Sequence, residues 1–196
     1  IIGLGVVGSG VVSILQRRTD DFRDVRGLDL KIQRVAVRDR TKPRSVELPR
    51  EALTNSPEEV VSDPNVQIVV ELMGGTELAH TLCLQALEAG KDVVTANKAL
   101  LAERGDDLFE AAARNGVELA FEASVCGGIP IIRSLLDGLA ANRVESIFGI
   151  LNGTSNYILT RMTDQGRSFD EMLVAAQTEG YAEADPSFDV DGVDAA

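Results

Sequence analysis

The chain has 196 residues, of which 44% are hydrophobic and 26% charged, and its net charge is −12. The apolar content is enough for a buried core, which excludes wholesale disorder. No apolar run reaches the roughly 18 residues that a membrane-spanning helix needs, and the acidic balance lacks the basic surface that nucleic acid requires. We therefore expect no membrane or nucleic-acid partner, and one large domain or one domain with part of a second.

The two cysteines, Cys83 and Cys126, are too few for a disulfide framework, and neither belongs to a Cys-x-x-Cys pair. Such cysteine usage predicts a reducing cytoplasm. The chain opens on Ile1-Ile2-Gly3 without the basic region of a signal peptide. Because two apolar residues before a glycine loop are too few for a strand, we expect the natural chain to begin several residues earlier.

Helical and extended segments alternate over the first 125 residues. The predicted helices are 6–18, 77–89 and 101–114. The predicted strands are 31–37, 66–73, 92–96 and 117–123. On the second helix Leu78, Leu82 and Leu87 are expected to face the core, and Gly90 is expected to end the helix. This alternation predicts βαβ units and a parallel sheet.

The pattern changes after residue 124, where we predict that a second domain begins. Its few elements cannot close a core by themselves, so the domain is expected to be unfinished. The predicted elements are a helix from Pro130 to about residue 140, a strand over 144–151, a helix beginning near Tyr157, and a helix from the capping box of Ser168 and Glu171 to Gly180.

Three glycines in the pattern G-x-G-x-x-G stand where the first helix begins. In a dinucleotide fold Gly3 would make the tight turn, Gly5 would let the backbone approach a pyrophosphate, and Gly8 would let the helix pack on the strand. The N-terminus of the helix then favours an anion. Because the motif heads a run of βαβ units, it predicts a dinucleotide site, and a bare tight turn is the alternative.

Two basic residues follow predicted strands at the edge where parallel sheets bind ligands. Arg38 stands where NAD-binding chains carry an acid, and its guanidinium can pair with a 2′-phosphate, which predicts NADP. Asp39 keeps NAD as an alternative, and a solvated basic loop is another. Lys98 follows the strand 92–96, and its position favours a role near the nicotinamide. An exposed lysine that starts a helix is the other interpretation.

A carboxylate and a glycine turn follow the strand 117–123. Glu122 together with the exposed carbonyls of such a turn could hold a hard cation. Cys126 in the same stretch could be a thiolate nucleophile, but that chemistry needs a nearby base. The single histidine, His80, lies far away in the sequence, so we expect Cys126 to be a small buried thiol.

The end of the chain is strongly acidic. From Ser168 to Ala196 there are eight carboxylates and no Lys or Arg. Glu183 and Asp194 cannot share one helix face across Pro186, but they could converge from a loop and a following helix. Carboxylates without local basic partners are suited to a cationic ligand such as the ammonium of an amino acid.

Taken together, these motifs resemble the homoserine dehydrogenase family, which interconverts L-homoserine and L-aspartate 4-semialdehyde with NAD(P). The matching segments span essentially the whole chain in the order of the family. They are GLGVVGSG (3–10), ELMGG (71–75), TANKALLA (95–102), FEASVCGGIPII (121–132), LNGTSNYILTRM (151–162) and EGYAEADPSFDVDGVDAA (179–196).

The resemblance implies a Rossmann-type, doubly wound parallel sheet over 1–124. It implies the first part of an α+β substrate and oligomerisation domain over 125–196, in a homodimer or homotetramer. The pyrophosphate would be held by Gly3, Gly5, Val6, Val7 and Gly8. The remaining cofactor contacts would come from Arg38 at the adenosine phosphate, Lys98 at the nicotinamide side, and Gly180.

The resemblance also assigns residues to the chemistry. Lys98 and Asp194 would be catalytic, and Glu183 would bind the amino group of the substrate. A monovalent cation, sodium or potassium, would be held by Glu122, Val125, Gly127 and Ile129. The family's proton-donating lysine falls four positions after Asp194, beyond Ala196, so we expect this chain to be a piece of the enzyme.

Two other functions stay open at this point. One is a phosphorylating aldehyde dehydrogenase that forms a thioester on Cys126 with the same semialdehyde. The other is a non-catalytic regulator that binds NADP(H).

Overall fold

A parallel sheet organises the first of two units in the computed structural model, which describes residues 1–182, 185–193 and 195. The units are Ile1–Ala140 and Ala141–Ala196. The strands of the first unit are β1 (Val35–Ala36), β2 (Leu53–Thr54), β3 (Ile68–Glu71), β4 (Asp92–Thr95) and β5 (Leu119–Ala120). Every pairing among them is parallel: β1 with β2, β3 with β4, and β4 with β5.

Ile2 joins the two halves of this sheet. It forms parallel bridges to Ala36 on one side and to Glu71 on the other. Its N–H donates to the carbonyl of Val70 at 2.8 Å, and its carbonyl accepts from the N–H of Leu72 at 2.8 Å. The order across the sheet is therefore β2, β1, Ile2, β3, β4, β5. This is the order of a doubly wound dinucleotide-binding sheet, so the predicted fold class is confirmed.

Helices cover both faces of the sheet. The helices of this unit are α1 (Val6–Arg17), α2 (Thr19–Arg26), α3 (Glu58–Ser62), α4 (Glu77–Glu88), α5 (Lys98–Asn115) and α6 (Ile131–Arg133), with a π-helical turn at Ser134–Gly138. Val35 and Val37 join one apolar cluster with Val12 of α1, whereas Ala36 joins the other cluster with Leu82 of α4. Successive residues of a strand point to opposite faces, so both faces of the sheet are buried.

One core prediction for α4 is wrong. Leu82 and Leu87 are buried as expected, but Leu78, in the first turn of the helix, is 47% exposed. Ala79 and Cys83 lie against the core in its place. Small residues allow α4 to approach the sheet and α5 closely, a contact that a count of leucines does not reveal.

The second unit contains three helices among its described residues: α7 (Gly153–Gln165), α8 (Phe169–Glu179) and α9 (Ser187–Val190). The capping box predicted for α8 is present, with Ser168 N–H donating to Glu171 Oε2 at 3.0 Å and Glu171 N–H reaching Ser168 Oγ. A small cluster forms the core of the unit. Its buried members are Ile158, Met172, Ala176 and Ala182.

The strand predicted over 144–151 does not form. These residues lie in no ladder, and Ile147, Phe148 and Ile150 are 63%, 93% and 74% exposed. The apolar pattern suits a strand, but a strand also needs a neighbour for its N–H and C=O groups, and no described residue pairs with it. The domain boundary expected at residue 125 stays a prediction.

The described helices include none with both the length and the apolar character needed to cross a bilayer.

The two leucines on α4 give a direct test of the core. Leu82 is 1% exposed, so Leu82→Ala should lower the free energy of unfolding by about 2–5 kcal/mol in urea titrations. Leu78→Ala on the same helix is the matched control and should cost about 0.5 kcal/mol or less. Equal losses would contradict the difference in burial between Leu82 and Leu78.

Candidate functional site

In the glycine turn between Ile2 and α1, two glycines lie so close to neighbouring backbone that a side chain would not fit. Gly3 has φ +100°, and a Cβ there would lie 2.5 Å from the carbonyl oxygen of Leu72. A Cβ on Gly8 would collide with the carbonyl oxygen of Gly3. Side chains at either position would therefore push α1 away from the sheet, which gives these two glycines a purely structural reason to be present.

Gly5 is different, because it leaves space unfilled. Its φ is an ordinary −84°, and no heavy atom lies within 4 Å of the place where its Cβ would be. Gly5 precedes α1 without a side-chain cap, and the first turn carries no acid. Val6 and Val7 are 94% and 58% exposed. The open N–H groups and the positive end of α1 fit a phosphate group.

A hydrogen-bonded loop follows β1. Asn55 Nδ2 donates to the carbonyls of Val37 and Arg38 at 2.9 and 3.0 Å and so fixes the start of the loop. Arg40 donates to the carbonyl of Arg50 at 3.0 Å, and Arg44 donates to carbonyls within the loop. The Arg38 guanidinium is exposed and makes no described contact, so it is available to a ligand.

Asp39, beside Arg38, is turned toward its own loop. Its Oδ1 accepts the N–H and the hydroxyl of Thr41 at 2.8 and 2.6 Å, and these bonds hold the pKa of the carboxyl below its usual value. Because Oδ1 is already engaged, the arrangement favours Arg38 over Asp39 as the group that meets the adenosine end of a dinucleotide.

The carboxyl ends of β3 and β4 are tied together by buried polar groups. Glu71 and Thr95 are paired in the register of the two strands, and both are fully buried. Thr95 Oγ1 donates to Glu71 Oε2 at 2.6 Å, and burial raises the pKa of Glu71. Asn97 caps α5 through Leu100 N–H, and exposed Lys98 is the first residue of that helix. Lys98 thus lies at the sheet edge where the sequence placed it.

Sequence reasoning missed Glu71 and Thr95 as members of the site. The signal was present: an acid ends the apolar strand β3, and a threonine ends β4. A strand buried on both faces is normally apolar throughout. Two polar residues in register at the carboxyl ends of β3 and β4 therefore indicate a role other than core packing.

The carboxylate of Glu122 holds the backbone of α6. Its Oε1 accepts the N–H of Ile132 and its Oε2 the N–H of Arg133, both at 2.9 Å. The carbonyl of Ile129 accepts the N–H of Ile131 at 2.8 Å. Val125 and Gly127 belong to the same stretch of short turns. Among the described residues no cluster of three acidic, histidine or cysteine side chains could hold a metal ion, so a cation here would depend on backbone carbonyls.

The expectation that Cys126 is buried is wrong. Cys126 is exposed because the whole 126–130 stretch lies at the surface, and its φ of +51° is in the left-handed region. Cys83 is the buried thiol, and burial, assisted by the charge of Glu71, raises its pKa to about 12. No described base contacts the thiol of Cys126.

The remaining predicted residues belong to the second unit. Gly180 ends α8 with φ +81°, a conformation that favours glycine. Glu183 and Asp194, predicted to bind substrate and to act in the catalytic centre, lie outside the described residues.

Two family models match the chain. The model described as "Homoserine dehydrogenase, NAD binding domain" covers residues 3–122, and the model described as "Homoserine dehydrogenase" covers 130–196. A homoserine dehydrogenase of Synechocystis is 55% identical over 196 residues, and one of Bacillus subtilis is 46% identical over 196 residues. The alignment takes in 100% of this chain and 45% of each relative, so the chain spans about half the length of the curated relatives it matches.

The chain is also similar in structure to solved homoserine dehydrogenases. A homoserine dehydrogenase from Thiobacillus denitrificans superposes with a TM-score of 0.83 at 47% identity, covering 99% of this chain and 45% of that one. A hyperthermophilic archaeal homoserine dehydrogenase in complex with NADPH superposes with a TM-score of 0.78 at 29% identity, covering 99% of this chain and 64% of that one.

The proposed phosphate space at Gly5 can be tested by comparing an alanine substitution there with the same substitution at Gly10. Gly5→Ala should leave the unfolding temperature nearly unchanged but raise the Kd for NADPH about tenfold, or about 1.4 kcal/mol, because the methyl group enters the space available to a phosphate. Gly10→Ala adds a methyl group to equally open space further along α1 and should not change the Kd. Fluorescence titration of NADPH measures both variants, and equal Kd values would contradict a phosphate site at Gly5.

Proposed function

This chain belongs to the homoserine dehydrogenase family, and from that premise we propose that the protein interconverts L-homoserine and L-aspartate 4-semialdehyde. The observation that carries the proposal is the family match through both units, over 3–122 and 130–196. It is supported by the glycine turn at Ile2, the central position of a doubly wound sheet, where such folds bind dinucleotides. The proposal places the protein in the biosynthesis of threonine, methionine and isoleucine.

The first unit carries the features that a nicotinamide dinucleotide requires. Gly3, Gly5, Val6, Val7 and Gly8 would hold its pyrophosphate, and the open first turn of α1 would meet the negative charge. When bound, the cofactor supplies the acceptor or donor of a hydride. The protein supplies orientation and charge.

Lys98 is proposed to act on the substrate oxygen. Oxidation of homoserine removes a hydride from C4 and a proton from the C4 hydroxyl, so negative charge develops on that oxygen. An ammonium group beside the oxygen stabilises this charge, and the proton would be exchanged by the separate proton-donating lysine that the family resemblance implies. Glu183 would bind the substrate's amino group with Asp194 in the same centre, and Gly180 would touch the cofactor.

The decisive experiment is an assay of the whole protein for NADPH formation that depends on L-homoserine, with L-serine as the control substrate. Cys126→Ser should retain most of the activity, because exposed Cys126 has no described base to activate it. In a parallel assay with L-aspartate 4-semialdehyde and phosphate, turnover that Cys126→Ser abolishes would favour the thioester mechanism. NADPH binding without any turnover would favour the non-catalytic regulator.

Arg38 is proposed to select NADP, with NAD as a weaker cofactor. Arg38→Ala should weaken the binding free energy of NADPH by about 1.5–3 kcal/mol, which raises its Kd roughly 10- to 150-fold. The reason is that the guanidinium would meet a phosphate that NADH lacks. The Kd for NADH should change little. Arg40→Ala is the matched control, since the Arg40 side chain is bonded to the Arg50 carbonyl. Equal losses for both cofactors would remove Arg38 as the discriminating residue.

We also propose the monovalent cation, sodium or potassium, at Glu122, Val125, Gly127 and Ile129. Short turns at 122–124 and 126–128 concentrate carbonyls at one place, and each Glu122 oxygen that accepts an N–H retains a second lone pair. Replacing potassium and sodium by tetramethylammonium at constant ionic strength should slow turnover. Unchanged turnover would count against the cation.

The remaining parts of the proposal concern assembly and location. A homodimer or homotetramer is proposed, and the exposed apolar side chains of 144–151 are suited to burial against another surface. A cytoplasmic location is proposed on the two cysteines, which are both free.

A further inference from the structure

Glu71 is an unusual residue for its position. It is the last residue of β3, at the carboxyl edge of the sheet, and its side chain is completely buried. None of the ion pairs among the described residues includes it. A buried carboxyl without a cation is costly unless hydrogen bonds compensate, and burial accordingly raises its pKa.

The compensating hydrogen bonds connect two different strand ends. Glu71 Oε1 accepts the N–H of Met73 at 2.8 Å, in the segment that leaves β3. Glu71 Oε2 accepts the hydroxyl of Thr95 at 2.6 Å, at the end of β4. A single side chain therefore holds the exits of two neighbouring strands.

The connection continues to the start of α5. Thr95 Oγ1 accepts the N–H of Asn97 at 3.0 Å, and Asn97 Nδ2 donates to the carbonyl of Gly75 at 2.8 Å. Asn97 Oδ1 accepts the N–H of Leu100 at 3.1 Å, which begins the helix whose first residue is Lys98. The Thr95 carbonyl also accepts the hydroxyl of Ser124 at 2.8 Å.

A carboxylate suits this position better than other side chains of its size. Two donors on separate strands face it, and only a carboxylate accepts through both oxygens. A glutamine would turn an NH₂ group toward one of those donors, and an apolar residue would leave the Met73 N–H and the Thr95 hydroxyl without their acceptor.

We propose that Glu71 is a positioning residue for the reaction, which fixes the 73–75 turn and the start of α5 so that Lys98 is held in place. This inference rests on the proposed function, because Lys98 acts on substrate only in that reaction. Glu71 is fully buried and its two oxygens are bonded within the protein, so it would act through these groups and not by contact with substrate.

The test compares Glu71→Gln and Glu71→Ala with the unaltered whole protein. The amides of Met73 and Asn97 should exchange with solvent at least about tenfold faster in Glu71→Ala. We expect kcat for homoserine to fall about 100-fold in Glu71→Ala and less in Glu71→Gln, which keeps one acceptor. The Kd for NADPH should change less than about threefold, since of the proposed cofactor contacts only Lys98 adjoins the network, and the contacts at the pyrophosphate and at Arg38 are retained.

Asp63→Asn is the matched control. Asp63 is 9% exposed and accepts hydrogen bonds from Asn65 and Arg34 before β3 begins, at the opposite edge of the same sheet. This variant should lower the unfolding temperature without changing kcat or the exchange of Met73 and Asn97. The outcome that overturns the proposal is a kcat within twofold of the unaltered protein in both Glu71 variants, or a loss of kcat that only parallels lost folding and NADPH binding.

Failure of the proposed function gives a different result. A protein that never oxidises homoserine shows no kcat in any variant, including the unaltered one. Amide exchange at Met73 and Asn97 still reports whether Glu71 fixes the two strand ends. Glu71→Gln, which retains the shape of the side chain, keeps the test usable where Glu71→Ala fails to fold.

Discussion

The structure depends on the main-chain hydrogen bonds around Ile2. Ile1 and Gly3 bond to Ala36 on one side, and Ile2 itself bonds to Val70 and Leu72 on the other. By bridging Ala36 and Glu71, this residue joins the β1–β2 pair to the β3–β5 group and makes one sheet from two. The strands are added outward from this point to opposite sides, and in folds of this kind ligands bind beyond the carboxyl ends of the strands at that position. Gly3 must then turn the chain at once beneath the Leu72 carbonyl. The position of the glycine turn follows from the order of the strands.

The sequence allowed the fold to be predicted where local pattern and tertiary structure agree. The alternation of strands and helices was enough to predict a parallel sheet, and the family resemblance added the doubly wound order. Prediction from the sequence failed where an element depends on a partner that is distant in the sequence. The strand expected over 144–151 has the right side chains but no described neighbour, and Leu78 follows the leucine pattern while Ala79 and Cys83 make the close contact. Glu71 was overlooked because its importance lies in its register opposite Thr95.

The predicted site residues of the first unit are brought to one edge by this arrangement. Arg38 follows β1, Lys98 follows β4, and Glu122 follows β5, and all three positions lie at carboxyl ends of parallel strands. The structure also changes the interpretation of Glu122, because its carboxylate has a folding role in holding α6. A cation at this turn would share the residue with that role, so cation binding and the position of α6 are expected to be coupled.

The helices of the first unit differ in whether an acid or a capping side chain occupies their N-terminus, and this difference indicates where an anion can bind. The first turn of a helix carries N–H groups without intrahelical partners and a partial positive charge. In the described part of the first unit, α2, α3 and α4 place acids there, Asn97 caps α5, and the Glu122 carboxylate covers α6. Only α1 among these helices has neither an acid nor a capping side chain, and Gly5 keeps the space before it open. An acid in the first turn of α1 would stabilise the isolated helix but would repel an anion, so the uncapped end is a local loss of stability that a bound anion would recover.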